Sequence, residues 1–189
     1  MLRARALETV KSRPATGAIA IAAYVLAVEW ARSFQVRGDV GLALIIGGIA
    51  LGVAAAGWPL SSLGLGRSRL GARIVGGFAL AAVLLLPTAA RASAAPVLPA
   101  SLAAAAIAIS IGEELAFRGA LYAALEKLGG APVAVIGSTA VWTVAHAFSH
   151  PPEFLGAVAG AGFLLALWRC ACRDLVGPII GHVIADLML

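Results

Sequence analysis

The side chains able to do chemistry fall in three short clusters, each set in an otherwise apolar stretch. The first is Gly112-Glu113-Glu114-Leu115-Ala116-Phe117-Arg118-Gly119. Glu114 and Arg118 are four residues apart, so they share one helix face and can form an ion pair. Glu113 projects about 100° away from that face and is not neutralised by the pair. It is expected to face a cavity as a lone carboxylate, the setting of a general base. The plainer alternative is an interfacial charge cluster that ends the helix. The second cluster is Trp142-Thr143-Val144-Ala145-His146, with the ring and the imidazole again one helical turn apart. The third is His182-Val183-Ile184-Ala185-Asp186, where the carboxylate can orient the imidazole. A carboxylate pair, two histidines and a further Asp can build a water-activating site.

Spacing links the first two clusters. Glu113 precedes Gly129 by 16 residues, and His146 follows Gly130 by 16. In a tight antiparallel pair turning at Gly129-Gly130, equal arms place both residues at similar depth, about 24 Å from the turn at 1.5 Å per residue. Both arms must stay helical for this to hold, and Gly119 is a candidate break. Outside the clusters, His150 sits in a His-Pro-Pro turn and Asp39 in a loop. Glu29 and Arg32, near the end of the first apolar stretch, are expected to be interfacial anchors.

The elements that must position these groups follow from composition. Of 189 residues, 61% are hydrophobic and 12% charged, against about 25% charged in a soluble domain. Such a chain has too little polar surface to cover itself in water, and the bilayer is its natural solvent. Ionisable groups inside it are costly and usually functional. Seven apolar stretches stand out, at 15–31, 40–58, 73–90, 97–119, 131–148, 154–170 and 174–189. They are too long for barrel strands and lack their alternation, so helix is the assignment that satisfies the backbone in lipid. The expected fold is all-α, a polytopic transmembrane helical bundle of about seven spans. Abundant Gly and Ala, as in residues 156–162, permit close helix packing. The last stretch is short and reads as tilted or partly interfacial.

Charge sets the expected topology. With the N-terminus inside, ten Lys and Arg fall on inner segments and three on outer ones, with Arg118 set aside as intramembrane. The positive-inside rule therefore favours a cytoplasmic N-terminus. The basic start followed by Gly17–Val28 has the outline of a signal peptide, but further spans downstream make it an uncleaved first helix. The net charge of +5 has the same origin; no basic stripe with interleaved aromatics points to nucleic acid. Cys170 and Cys172 are too few for a disulfide framework or a structural zinc site and read as reduced.

In order and context, Glu113-Glu114-x-x-x-Arg118, Trp142-x-x-x-His146 and His182-x-x-x-Asp186 resemble the CAAX-processing and bacteriocin-processing proteases. These are also called type II CAAX endopeptidases or CPBP intramembrane proteases. The resemblance covers residues 97–189; residues 15–96 hold three helices without a motif, and 1–14 form a cytoplasmic extension. It implies hydrolysis of a peptide bond in a membrane-associated peptide or membrane-anchored protein. By similarity Glu113 is the base that activates water, His146 assists in binding that water, and His182 and Asp186 stabilise the oxyanion. Glu114, Arg118 and Trp142 support them structurally. Two residues depart from the family pattern: Trp142 stands where Phe is usual, and Asp186 where eukaryotic and archaeal members have Asn. An ionised Asp cannot donate to an oxyanion, so Asp186 acts either protonated or by orienting His182.

Zinc is the competing activator, since Glu113, His146 and His182 can ligate it with one position open. The sequence has no HExxH, and the resemblance favours a glutamate-dependent reaction without metal or other cofactor. Rival functions are a membrane scaffold or bacteriocin self-immunity protein, and a small transporter, for which no internal repeat is present. The expected location is the plasma membrane of a bacterium, with membrane lipid and the substrate as partners. Oligomeric state and substrate identity are not written in the sequence.

Overall fold

Long runs of Ala, Leu, Ile, Val and Gly satisfy their own backbone as helices, and most of the described residues do so. A computed structural model describes residues 14–34, 40–66, 68–89 and 98–188. The expected cytoplasmic extension and the breaks at Arg37-Gly38-Asp39, Arg67 and Arg91 lie outside them, apart from Pro14. The elements are α1 (Pro14–Ser33), α2 (Val40–Gly52), α3 (Leu70–Ala89), α4 (Ala100–Glu113), a π-helical segment (Glu114–Leu121), α5 (Tyr122–His146), α6 (Leu155–Cys172) and α7 (Val176–Met188). Single 3₁₀ turns occupy Val53–Ala55 and Pro152–Phe154, and no strand occurs among the described residues.

Gly119 does not break the fourth stretch. α4 runs through the π segment into α5, and the chain reverses only at Gly129-Gly130. Gly130 has φ +72°, a left-handed angle that a side chain would oppose, and Pro132 starts the return arm. Within the described residues each of the seven apolar stretches is mostly helical. By length and composition, three helical stretches suffice to cross a membrane: Pro14–Ser33, Ala100–His146 with its reversal, and Pro152–Cys172. Val40–Ala55, Leu70–Leu86 and Val176–Met188 are apolar but shorter.

α2 lies along α4, α3 along α7, α5 against α6, and α1 against α5. Small residues set the closest of these contacts. A Cβ on Gly48 of α2 or Gly112 of α4 would collide with main-chain atoms of the facing helix, so the two backbones touch beside the first polar cluster. Large apolar side chains such as Ile19, Ile49, Val75, Phe78 and Ile136 point outward. Arg118, Glu114 and Asp174 are meanwhile among the most buried residues. Apolar outside and charged inside is the distribution a lipid solvent selects.

Candidate active site

Four helices bring the predicted residues together. Glu113 ends α4, and Glu114 opens the π segment that also carries Arg118. In a π-helix each turn takes an extra residue, which widens the backbone and re-aims side chains; such turns concentrate at functional sites. Seven of the eight residues in this segment are buried, Leu115 excepted. α5 supplies Trp142 and His146 in its last turns, and α7 supplies His182 and Asp186 in its last two.

Glu113 is 4% exposed. Its Oε2 accepts a hydrogen bond from Trp142 Nε1 at 2.8 Å and lies 3.9 Å from His146 Nε2. Its Oε1 lies 3.4 Å from the Arg32 Nη2 of α1. Glu113 therefore faces its neighbours as a held carboxylate rather than the lone one expected, because a helix outside the motifs reaches it. His146 Nδ1 lies 2.9 Å from the Trp142 carbonyl. A carbonyl only accepts, so Nδ1 carries the proton, and in the neutral ring Nε2 presents a lone pair towards Glu113.

Glu114 and Arg118 form the expected pair, Nη1 to Oε1 at 3.0 Å, with both side chains fully buried. Arg118 Nη2 also donates to the Gly162 carbonyl at 3.2 Å, and its guanidinium lies over the Trp142 ring, 4.2 Å from the centroid. His182 is bracketed by carboxylates: Nδ1 lies 2.9 Å from Glu114 Oε1 and Nε2 3.4 Å from Asp186 Oδ2. Both ring nitrogens of His182 thus face carboxylate oxygens. Among the described residues no group of three or more His, Cys, Asp or Glu is arranged to hold a metal ion.

Trp142 is more than packing. Its N–H holds Glu113, its carbonyl holds His146, its face meets Arg118, and its ring meets His182 edge-on at 5.8 Å. The indole N–H was the signal: when buried, it usually finds an acceptor. Ser110 was also missed. Its hydroxyl lies 2.7 Å from Asp186 Oδ2 and 2.6 Å from the Ala106 carbonyl, one proton facing two acceptors. Glu29 and Arg32 are not interfacial anchors. Glu29 is 3% exposed, and its carboxylate pairs with Arg32 at 2.5 Å inside the bundle. His150 stays in the turn after α5, its ring stacked on Phe154.

The polar groups thus form one connected assembly: a carboxylate and an imidazole facing each other, beside a second imidazole held between two acids. Residues 95–188 match the family described as Type II CAAX prenyl endopeptidase Rce1-like. No curated protein and no solved structure matches the chain.

Proposed function

We propose that this chain, whose residues 95–188 belong to the Rce1-like type II CAAX prenyl endopeptidase family, is an intramembrane endopeptidase that uses Glu113 to activate water. The observation that carries this is the facing pair of buried Glu113 Oε2 and partly buried His146 Nε2, 3.9 Å apart. Two acceptors at that separation suit a water that donates one proton to each.

Chemistry follows from the donors and acceptors. Glu113 takes a proton from the water as its oxygen attacks the scissile carbonyl carbon. The tetrahedral oxyanion needs a preorganised donor, and His182 supplies it from Nε2, with Nδ1 held 2.9 Å from Glu114 Oε1 and Nε2 3.4 Å from Asp186 Oδ2. Glu113 then passes the proton to the departing amine as the C–N bond breaks, leaving a carboxylic acid, whose remaining water proton goes to the amine, so that the products are a carboxylate and an ammonium. Asp186 orients His182 rather than donating, with Ser110 bound to the same oxygen. Glu114 and Arg118 fix His182 Nδ1 and the face of Trp142. In this mechanism the carboxylate, not a metal, activates water.

The substrate is a membrane-associated peptide or protein, since the bundle is apolar outside. The protein is proposed to be a multi-pass component of a bacterial plasma membrane, with its N-terminus in the cytoplasm. The test compares peptide termini in membranes from cells carrying the wild-type protein, no protein, or Glu113→Ala at equal abundance. Termini present in wild type and missing from both other strains are expected, and they identify the substrate. A Glu113→Ala strain matching wild type while the deletion differs points instead to a scaffold or immunity role.

A further inference from the structure

The matched residues begin at 95, yet the candidate site draws on α1. Along α1, Ala18, Ile21 and Val25 form a buried stripe at helical spacing. The next positions on that face are Glu29 and Arg32, so an apolar packing stripe ends in an acid and a base. Burying such a pair among helices is costly unless its geometry is exploited.

That geometry is specific. Arg32 Nη2 and Nε lie 2.5 and 3.1 Å from a single oxygen, Oε2 of Glu29. The same Nη2 lies 3.4 Å from Glu113 Oε1, 81 residues along the chain. Among the described residues Arg32 makes the only hydrogen bond to Glu113 Oε1, as Trp142 does to Oε2. Room for the side chain comes from α2: a Cβ on Gly47 would sit 2.8 Å from Arg32 Cδ. The second carboxylate oxygen, Glu29 Oε1, is buried with no hydrogen-bond partner among the described residues. An ion pair serving only to anchor the helix end would need neither the cleft over Gly47 nor the approach to Glu113.

We propose that Arg32, steered by Glu29, is a positioning residue for Glu113, which makes α1 a working part of the active site. Each oxygen of Glu113 then has one donor, from α1 on one side and α5 on the other, and the carboxylate plane is fixed towards His146. Glu29 keeps most of the guanidinium, so Glu113 is oriented without being locked into a tight ion pair. The catalytic part of this role rests on Glu113 being the base.

Two measurements on the full-length protein in detergent or bilayer separate the contact from the chemistry. In infrared spectra, the carboxylate stretch of Glu113 is assigned by difference with Glu113→Gln. That band is expected to move in Arg32→Gln and to return towards its wild-type position in Arg32→Lys. An unmoved band in Arg32→Gln overturns the proposal without any substrate. In cleavage assays on the substrate found from the termini, Arg32→Gln is expected to lower kcat about 10- to 100-fold, the scale of a lost hydrogen bond to a charged group. KM should stay within about twofold and Arg32→Lys should recover most of the rate, a split that a merely structural role would not give. Wild-type kcat in Arg32→Gln alongside an inactive Glu113→Gln overturns the positioning role alone. Full activity in Glu113→Gln overturns the base assignment and this role with it. Should Arg32→Gln fail to fold, Gly47→Ala keeps every charge but crowds Arg32; lowered kcat supports the role, and unchanged kcat overturns it.

Discussion

Two of the buried polar clusters among the described residues are finished differently. The one around Asp174 is saturated. Asp174 accepts the Val176 and Gly177 N–H groups at 2.9 Å each, caps α7, takes the Trp168 N–H at 3.2 Å and faces Arg73 at 3.6 Å. Beside it, Arg169 donates to the Ser62 and Arg118 carbonyls at 2.8 and 3.2 Å. The cluster around Glu113 is left open. Among the described residues, the buried carboxylate and guanidinium atoms without a partner are Glu29 Oε1, Glu114 Oε2 and Arg118 Nε, all in or beside it, and the hydroxyls of Tyr122 and Thr139 are unpartnered as well. Buried polar groups are normally paired because an unpaired one costs about 1–3 kcal/mol. A saturated cluster holds helices together, whereas an open one keeps acceptors and donors available for something that binds.

The contrast can be broken by substitution, and the largest effect belongs to the open cluster. Glu113→Gln is expected to lower substrate cleavage about 10²- to 10⁴-fold, the usual worth of a general base, with an unchanged melting temperature. His182→Ala should cost about 10²- to 10³-fold in kcat, as for loss of an oxyanion donor. Trp142→Phe keeps most of the ring packing and removes the N–H that Glu113 accepts; a loss of about tenfold in kcat is expected. Asp174→Ala should do the reverse. It removes a helix cap worth about 0.5–2 kcal/mol and leaves Arg73 short of a partner, so the melting temperature falls while turnover per folded molecule stays within about twofold. Ser110→Ala gives the smallest change, a few-fold in kcat for one neutral hydrogen-bond donor. Thermal unfolding and cleavage measured on the same preparations check all five. A catalytic collapse in Asp174→Ala at unchanged stability would erase the distinction between the clusters.

Much of the candidate site was legible because its pairs are local. Glu114 with Arg118, Trp142 with His146, and His182 with Asp186 are each four residues apart, and helix geometry alone brings such residues together. The matched 16-residue arms about Gly129-Gly130 imply similar depth for Glu113 and His146, and in the fold the two side chains lie 3.9 Å apart. The candidate break at Gly119 does not occur, because the chain continues as a π-helix, which buries that glycine against Leu63 and Leu175. Sequence places Glu29 and Arg32 at the interface because position along α1 says how deep a residue lies and not which way it faces.

The sequence by itself determined the helices, their apolar surfaces and the residues able to do chemistry, since hydropathy, helical period and the glycine turn act over a few neighbouring positions. Only the tertiary structure decided which polar atoms meet across helices: Arg32 on Glu113, the Trp142 N–H on the same carboxylate, Ser110 on Asp186, and His182 between two acids. Those contacts depend on how each helix is rotated and how closely it approaches its neighbour. Packing of the whole bundle fixes both, down to the glycines where α2 and α4 touch.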